Sequence, residues 1–443
     1  ELGSAVDYAL ETLGITFRET ENADLNGGIL AGSTEADSFE VTGATLTANA
    51  ITVTNAASAI DAGTGNDAVT VNDTNSTLTG ADNALNTANY QFTSIDSADL
   101  ADNALTGTAN VDTFDVTGAN ALTSADIDFT NVASVDGGDG DDQLNTSAAV
   151  LVAGTNEALT SSNISFTDIE SADLSDGILT GTSNVDTFDV TGANALTSAG
   201  INFSSVAAVN ADDGADQVNT DGADASLFAE LGRAVDYALE TLGIIFRETE
   251  NADLNGGTLA GSSETDSFEV TGAALTANAI TVTNAASAID AGTGDDAVTV
   301  NDTNSTLTGA DNALDTANYQ FTSIDSADLT DSVLTGTSGA DTFDVTGANE
   351  LTSAGIDFTN VASVDANDGD DQVNTNGATL TSETGTAVDN ALTTQQITFA
   401  SVENLDLAGG TLAGSDAVDS FEVTGTALTA NAISVTNAAS VID

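Results

Sequence analysis

The chain lacks several residue types altogether. Its 443 residues include no His, Cys, Met, Trp or Pro. Without Cys no disulfide can form, and without His and Cys the usual ligands of zinc, iron and copper sites are missing. A metal site in this chain would need carboxylate, Asn and backbone carbonyl oxygens, and that donor set suits Ca²⁺.

Positive charge is also scarce. The chain has 3 Lys+Arg against 70 Asp+Glu, which gives a formal net charge of -67. Nucleic acid is excluded as a partner because no basic patch can replace the counterions of its phosphates. So strong an imbalance is expected to require cations for a compact fold. Hydrophobic residues nevertheless make up 40% and recur periodically, which indicates a folded core rather than a disordered acidic tail.

Long apolar runs are missing too. None approaches the ~20 residues that a membrane-spanning helix needs, so we expect no membrane span in this segment. No signal peptide is visible. The last residues, Ile433–Asp443, match Ile51–Asp61 and Ile280–Asp290, and both of those copies continue in the same way beyond the match. We therefore expect the chain to be a segment of a longer repeat protein.

What the chain does contain is repetition. The sequence Glu1–Gly27 returns almost unchanged at Glu230–Gly256, and we call this the long repeat. A shorter repeat begins at an aromatic residue that follows an apolar–x pattern. Its six copies begin at Phe17, Phe92, Phe166, Phe246, Phe321 and Phe399. Repeats at nearly fixed spacing predict a stacked architecture in which each unit contacts its neighbours.

The repeat predicts a division of the chain into units within one continuous solenoid. The predicted segments are 1–16 (the end of a preceding repeat), 17–91, 92–165, 166–245, 246–320, 321–398 and the partial unit 399–443.

The predicted elements are short strands. Segments such as Thr113–Gly118 (TFDVTG) alternate apolar and polar residues and are bounded by Gly, Asn and Asp. Immunoglobulin-like sandwiches usually need ~100 residues per domain and a larger aromatic core, so an all-β parallel solenoid, a β-helix or β-roll, is favoured. Asn residues that follow one strand in five copies are either a stacked ladder or separate surface turns: Asn55, Asn131, Asn284, Asn360 and Asn437.

One segment predicts a short helix inserted in a loop. Val6, Ala9, Leu10 and Leu13 lie on one helical face, and the pattern recurs at Val235–Leu242. A shorter equivalent is expected at 82–85.

Two series of Gly- and Asp-rich turns are the candidate functional motif. The segment Gly137–Asn145 (GGDGDDQLN) matches the nonapeptide G-G-x-G-x-D-x-U-x of calcium-binding β-rolls. We call the sixth-position acids of this motif and its degenerate copies the second-series acids: Asp67, Asp142, Asp216, Asp296 and Asp371. A weaker motif precedes each copy, and its acids are the first-series acids: Asp37, Asp112, Asp186, Asp266, Asp341 and Asp419. Asp139 and Asp141 are further candidate ligands.

The spacing between the two series is constant. Every second-series acid follows its first-series acid by the same interval, as Asp67 follows Asp37, whereas the gap to the next unit varies. This constancy predicts turns that lie one above another, with insertions confined to the variable part. The alternative is that these are solvated β-turns that bind nothing, since Asp and Gly are favoured in turns without any metal.

These motifs resemble haemolysin-type (RTX) calcium-binding repeats. More broadly, sequence segments such as FTSIDSADL and DTFDVTGA look like the β-strand repeats of giant secreted bacterial adhesins and surface-fibre proteins. The resemblance implies Ca²⁺ between successive turns, held by the sixth-position Asp and turn carbonyls, and an extracellular or cell-surface location. The nonapeptides here are separated rather than tandem, and several lack a glycine, so they depart from the family pattern.

The expected function is therefore structural or adhesive. We expect a calcium-stabilised fibre of the cell surface or biofilm matrix that self-associates into filaments or lateral bundles, with a surface or glycan as a further ligand. An ice- or ligand-binding Thr face is the first alternative, based on pairs such as Thr52/Thr54. A polysaccharide-degrading β-helix enzyme is the least favoured, because only Arg18, Arg233 and Arg247 could stabilise a sugar-acid intermediate. No catalytic residue is assigned.

Overall fold

The fold is all-β. The structure is a computed structural model that describes residues 9–301, 304–330, 332–439 and 442. The chain divides into two compact units, Glu1–Asp216 and Gln217–Asp443, and each is described by itself. Within the described residues every regular element is a strand, and the two units together have about 14 solenoid turns.

The strands are short, because turn residues interrupt each apolar run. In the first unit they are Leu10–Thr12, Ile15–Phe17, Asn22–Asp24, Leu30–Ala31, Ser38–Thr42, Thr45–Ala48, Ile51–Thr54, Ala59–Asp61, Ala68–Asn72, Ser76–Leu78, Leu85–Asn86, Gln91–Thr93, Ser97–Thr106, Thr113–Gly118, Ala121–Ser124, Ile127–Asp136, Gln143–Asn145, Ala148–Leu151, Ala158–Ser161, Ile164–Thr167, Ser171–Thr180, Thr187–Gly192, Ala195–Ser198 and Ile201–Asn210. In the second they are Gln217–Asn219, Ala225–Glu230, Arg233–Thr241, Ile244–Arg247, Asn251–Asp253, Leu259–Ala260, Ser267–Thr271, Ala274–Ala277, Ile280–Thr283, Ala288–Asp290, Ala297–Asn301, Ser305–Leu307, Leu314–Asp315, Gln320–Thr322, Ser326–Asp328, Val333–Thr335, Thr342–Gly347, Glu350–Ser353, Ile356–Thr359, Ser363–Asp365, Gln372–Asn374, Gly377–Glu383, Thr386–Thr394, Ile397–Ala400, Asn404–Asp406, Thr411–Ala413, Phe421–Thr424, Ala427–Ala430 and Ile433–Thr436.

Parallel pairing between turns defines the solenoid. In the first unit Phe39 pairs with Val69, Val69 with Ala98, and Ala98 with Phe129, at nearly equal intervals along the chain. A second parallel stack joins Leu30 to Ile60, and Ile60 to Phe92. The second unit repeats the first stack through Phe268, Val298, Ala327 and Phe358. The predicted parallel solenoid is confirmed.

The core lies between the two stacks. Alternate side chains of Ser38–Thr42 point inward, which buries Phe39 and Val41. The ring of Phe39, from one stack, lies 5.6 Å from the ring of Phe92, from the other. The residues that begin the predicted repeats, Phe92, Phe166, Phe246, Phe321 and Phe399, are all fully buried, whereas Phe17 is 44% exposed.

The predicted helical insertions are wrong where the structure describes them. Residues 235–241 belong to the strand Arg233–Thr241, which pairs antiparallel with Ala225–Glu230 and Ile244–Arg247. Tyr237 takes a left-handed φ of 57°, which interrupts the strand alternation and buries the consecutive residues Ala238 and Leu239. This break produced the apparently helical spacing. Of the first copy, residues 1–8 lie outside the described part of the chain, and Leu10–Thr12 is a strand. The segment 82–85 is a turn that leads into the strand Leu85–Asn86.

The recurrent Asn residues form inter-turn bonds, but with Asp rather than with one another. Each of the five takes a left-handed φ of 51–53°, a conformation that Asn tolerates well. The Asn55 side-chain amide donates to Asp24 Oδ1 at 2.9 Å, and Asn284 donates to Asp253 Oδ1 at 3.0 Å. Asn131, Asn360 and Asn437 donate in the same way to Asp99, Asp328 and Asp406.

Candidate site: the stacked acidic turns

The two series of acids lie one above the other, as their constant spacing predicted. Each acid except Asp419 directly precedes a strand of the parallel stack, as Asp37 precedes Ser38–Thr42 and Asp67 precedes Ala68–Asn72. The backbone N–H of Asp37 donates to Asp67 Oδ1 at 2.7 Å. The same bond, at 2.7–2.8 Å, joins Asp112 to Asp142, Asp186 to Asp216, Asp266 to Asp296, and Asp341 to Asp371. The second-series carboxylates therefore stabilise the stacking of turns.

A third acid extends this ladder, and it was missing from the sequence-based candidates. The N–H of Asp67 donates to Asp96 Oδ2 at 2.8 Å, and that of Asp142 donates to Glu170 Oε2 at 2.6 Å. Asp325 and Glu403 accept from Asp296 and Asp371 in the same way. A signal was available, because each of these acids follows the aromatic residue that begins its repeat by four positions.

Three first-series acids have a hydrogen-bond partner for each carboxylate oxygen, and in each case an Asn of the following hairpin is one of the two partners. Asp266 Oδ2 accepts from the Ser262 N–H, and its Oδ1 accepts from the Asn278 amide, each at 2.5 Å. Asp37 has the same two contacts with Ser33 and Asn49, and Asp419 has them with Ser415 and Asn431. Asp112, Asp186 and Asp341 accept from the N–H four residues earlier.

The second-series acids are all fully buried, and four of them are less well satisfied. All five are 0% exposed. Oδ1 accepts the inter-turn bond, but Oδ2 is buried without a hydrogen-bond partner in Asp67, Asp142, Asp296 and Asp371. Burial, followed by the nearby carboxylates, raises the pKa of each of these four groups, and it raises the pKa of Asp296 to about 6. A buried carboxylate oxygen without a partner destabilises the charged form.

These hydrogen bonds bear on the predicted calcium sites. One oxygen already accepts a backbone N–H, and the other is closed off from solvent. Calcium in proteins takes 6–8 oxygen ligands, whereas the described residues contain no group of three or more acidic side chains arranged to hold a metal. Asp139 and Asp141 are exposed at the outside of their turn. Calcium binding by these turns stays a prediction, and the geometry favours a hydrogen-bonding role.

Asp139 lies in an acidic cleft within the first unit. Asp136, Glu157, Asp168 and Glu170 line the same cleft together with Gly138 and Gly140. Burial, followed by the hydrogen bond and charge of Asp136, raises the pKa of Asp168. At the position of Asp168, other turns have Ser94 or Ser323, whose hydroxyl groups donate to Asp61 and Asp290.

Of the three arginines, Arg247 has a described structural role at the surface. It forms an ion pair with Glu230 at 3.5 Å and lies 5.1 Å from the ring centre of Phe228. The side chain of Arg247 is 36% exposed and that of Glu230 is 52% exposed, so solvent screens the ion pair and it contributes little to stability.

Comparison with known proteins leaves the fold and the turns as the basis for a functional argument. A scan against protein-family models and a search of curated protein sequences gave no match to this chain. Among the described residues, no helix is long and apolar enough to cross a membrane. The chain is therefore defined here by its class, a repeat β-solenoid with stacked acidic turns.

Proposed function

We propose that this chain is a structural and adhesive module of an extracellular fibre or surface layer. The supporting observation is that equivalent residues of the two units make the same contacts. Tyr90 donates to the Ala44 carbonyl at 3.0 Å, and Tyr319 donates to the Ala273 carbonyl at the same distance. Duplication of the repeat thus lengthens the same solenoid, as in other repeat proteins.

Self-association and surface binding are the activities that such a module needs. The proposal has the chain form filaments or lateral bundles and bind a surface or glycan, outside the cell. Exposed carboxylates make repulsion between copies strong, and Ca²⁺ is the proposed ion that lowers it. No calcium ligand is assigned.

Sedimentation velocity over a range of protein concentrations tests this proposal, with calcium and with chelator. We expect larger reversible species that form more readily with calcium, and retention of the chain on glycan-coated surfaces. A chain that stays monomeric at every concentration and is not retained would contradict the proposal. Turnover of a glycan would contradict it in favour of an enzyme.

The ice-binding alternative is less well supported by the register of the strands. A flat Thr surface requires threonines that follow one another from turn to turn. Thr52 and Thr54 instead pair with Asn22 and Asp24 of the neighbouring turn. Ser434 and Thr436 pair likewise with Asn404 and Asp406.

A further inference from the structure

A further set of contacts joins successive hairpins, and each of these contacts begins at a left-handed residue just before a hairpin. We call these the clasp residues. In the first unit they are Asn83, Asn120, Glu157 and Asn194. In the second unit they are Tyr237, Asn312, Asn349 and Asn390. All of them take a φ of 53–59°, and each is followed two positions later by a Leu.

The backbone of a clasp residue connects its own hairpin to the next one. The N–H of Asn120 donates to the Ser162 carbonyl, in the turn of the next hairpin, at 2.8 Å. The carbonyl of Asn120 accepts from the Val132 N–H, at the base of its own hairpin, at 3.0 Å. The same two bonds, at 2.8–3.1 Å, join Glu157 to Ala199 and Ile169, and Tyr237 to Asn278 and Thr249. The backbone connection is therefore shared by Asn, Glu and Tyr at this position.

The side chain of an Asn clasp residue adds a bridge between the same places. The Asn83 amide donates to the Ile95 carbonyl, at the base of its own hairpin, and to the Asp126 carbonyl, in the turn of the next, each at 2.9 Å. Asn390 donates instead to Glu403 Oε1 at 2.8 Å. The bond to the base recurs, at 2.8–3.1 Å, from Asn120 to Val132, Asn194 to Val206, Asn312 to Ile324, and Asn349 to Val361.

Glu157 and Tyr237 depart from this pattern, one in each unit. Neither side chain has an amide, and a carboxylate only accepts hydrogen bonds. The Ile169 carbonyl, at the base of the hairpin that follows Glu157, therefore receives no bond from the side chain of its clasp residue. A left-handed φ is also less favourable for Glu than for Asn, and for a bulky residue such as Tyr it is an outlier. Both effects weaken the clasp at these two places.

Apolar packing does not distinguish these hairpins from the others. Leu159 and Phe166, in the hairpin that follows Glu157, are fully buried, as are Leu122 and Phe129 in the hairpin that follows Asn120. The clasp residue is therefore the difference that we expect to set the relative stability of the two hairpins.

We infer that the hairpins after Glu157 and Tyr237, residues 158–167 and 238–247, are built-in opening points, where each unit unfolds locally before the rest of its solenoid. Local opening in proteins follows such differences in hydrogen bonding, and it occurs in contiguous segments of this size. The inference concerns the folded chain and does not depend on the proposed function.

Hydrogen–deuterium exchange of the full chain, measured by mass spectrometry, tests this inference. Amides in 158–167 should be protected about 5-fold less than those in 121–130, which corresponds to about 1 kcal/mol for one missing hydrogen bond. Glu157→Asn should raise the protection of 158–167 to that of 121–130 and leave 121–130 unchanged. Asn120→Glu should lower the protection of 121–130 by a similar factor. Tyr237→Asn should likewise raise the protection of 238–247.

Two further substitutions of Glu157 separate the amide from the other properties of the residue. Glu157→Gly permits the left-handed φ without an amide, and Glu157→Ala removes the charge without an amide. Both should raise the protection of 158–167 less than Glu157→Asn does. Equal effects of Gly and Asn, or equal protection of 158–167 and 121–130 in the wild type, would overturn the inference. If Asn120→Glu does not fold, the three substitutions of Glu157 decide.

Discussion

At the residue scale, single hydrogen-bonding positions hold successive turns together. The acids of the ladder could be found in the sequence because the interval from each first-series acid to its second-series acid is constant. The oxygen that lacks a partner could not be predicted, because it depends on whether the N–H of Gly292 donates to Asp290 or to Asp296. Residue type and spacing predict which side chains are stacked, but donor geometry within a turn decides which oxygen is left without a partner.

Asn278→Ala should destabilise the second unit. Asn278 is buried, donates to Asp266 Oδ1 and accepts from the Ser267 N–H at 2.9 Å. Removing it leaves a buried carboxylate oxygen unsatisfied, at a cost of about 1–3 kcal/mol. Chemical denaturation measures this loss. Asn284→Ala is the control, because Asn284 also has a left-handed φ but makes an exposed bond to Asp253. Equal losses in the two variants would contradict the role of burial.

Gly181→Ala should destabilise the first unit through a steric clash. A Cβ at Gly181 would lie 2.3 Å from the Ala211 carbonyl oxygen of the neighbouring turn. Overpacking of this kind typically costs about 1–3 kcal/mol. Gly192→Ala is the matched control, since a Cβ there meets nothing within 4 Å, and its effect should stay within about 0.5 kcal/mol. Thermal melting compares the two variants. An unchanged melting temperature for Gly181→Ala would show that neighbouring turns can move apart without loss of stability.

At the element scale, the sequence predicted the repeating strands better than the insertions between them. The alternation of apolar and polar residues in Ser38–Thr42 predicted which side chains are buried, and the spacing of aromatic residues predicted where the core lies. The segment 235–242 was misassigned because a left-handed residue, Tyr237, breaks the period of a long hairpin strand. Apolar periodicity alone does not distinguish such a break from one helical turn.

Insertions should be tolerated in hairpin turns and not in stacked turns. The turn at Thr384 and Gly385 joins two hairpin strands, is exposed, and has no atom within 4 Å of a Cβ at Gly385. A Gly-Ser insertion after Gly385 should cost about 0.6 kcal/mol or less. The same insertion after Gly369, whose Cβ would lie 2.3 Å from the Gly339 carbonyl oxygen, should disrupt the second unit. Equal melting temperatures for the two insertion variants would contradict the assignment of the segment between first- and second-series acids as the rigid part.

At the scale of the whole molecule, the net charge of -67 is the dominant electrostatic property. A solenoid places acids of successive turns next to one another, so repulsion accumulates with every repeat. Exposed acids such as Asp139 and Asp141 depend on cations from solution to lower this repulsion. The melting temperature should therefore respond to the salt and the divalent cations in the solution.

Salt and calcium should raise the melting temperature to different extents at neutral pH. Sodium chloride only screens the exposed charges, and its effect should rise smoothly with ionic strength. Calcium that binds the folded chain adds a stabilisation that grows with free calcium concentration. Melting curves at matched ionic strength measure the difference, with magnesium as the control for divalent charge alone. A larger shift with calcium than with either salt supports calcium as the ion of the fibre. Equal shifts would mean that screening suffices, and they would contradict calcium as the ion of the fibre.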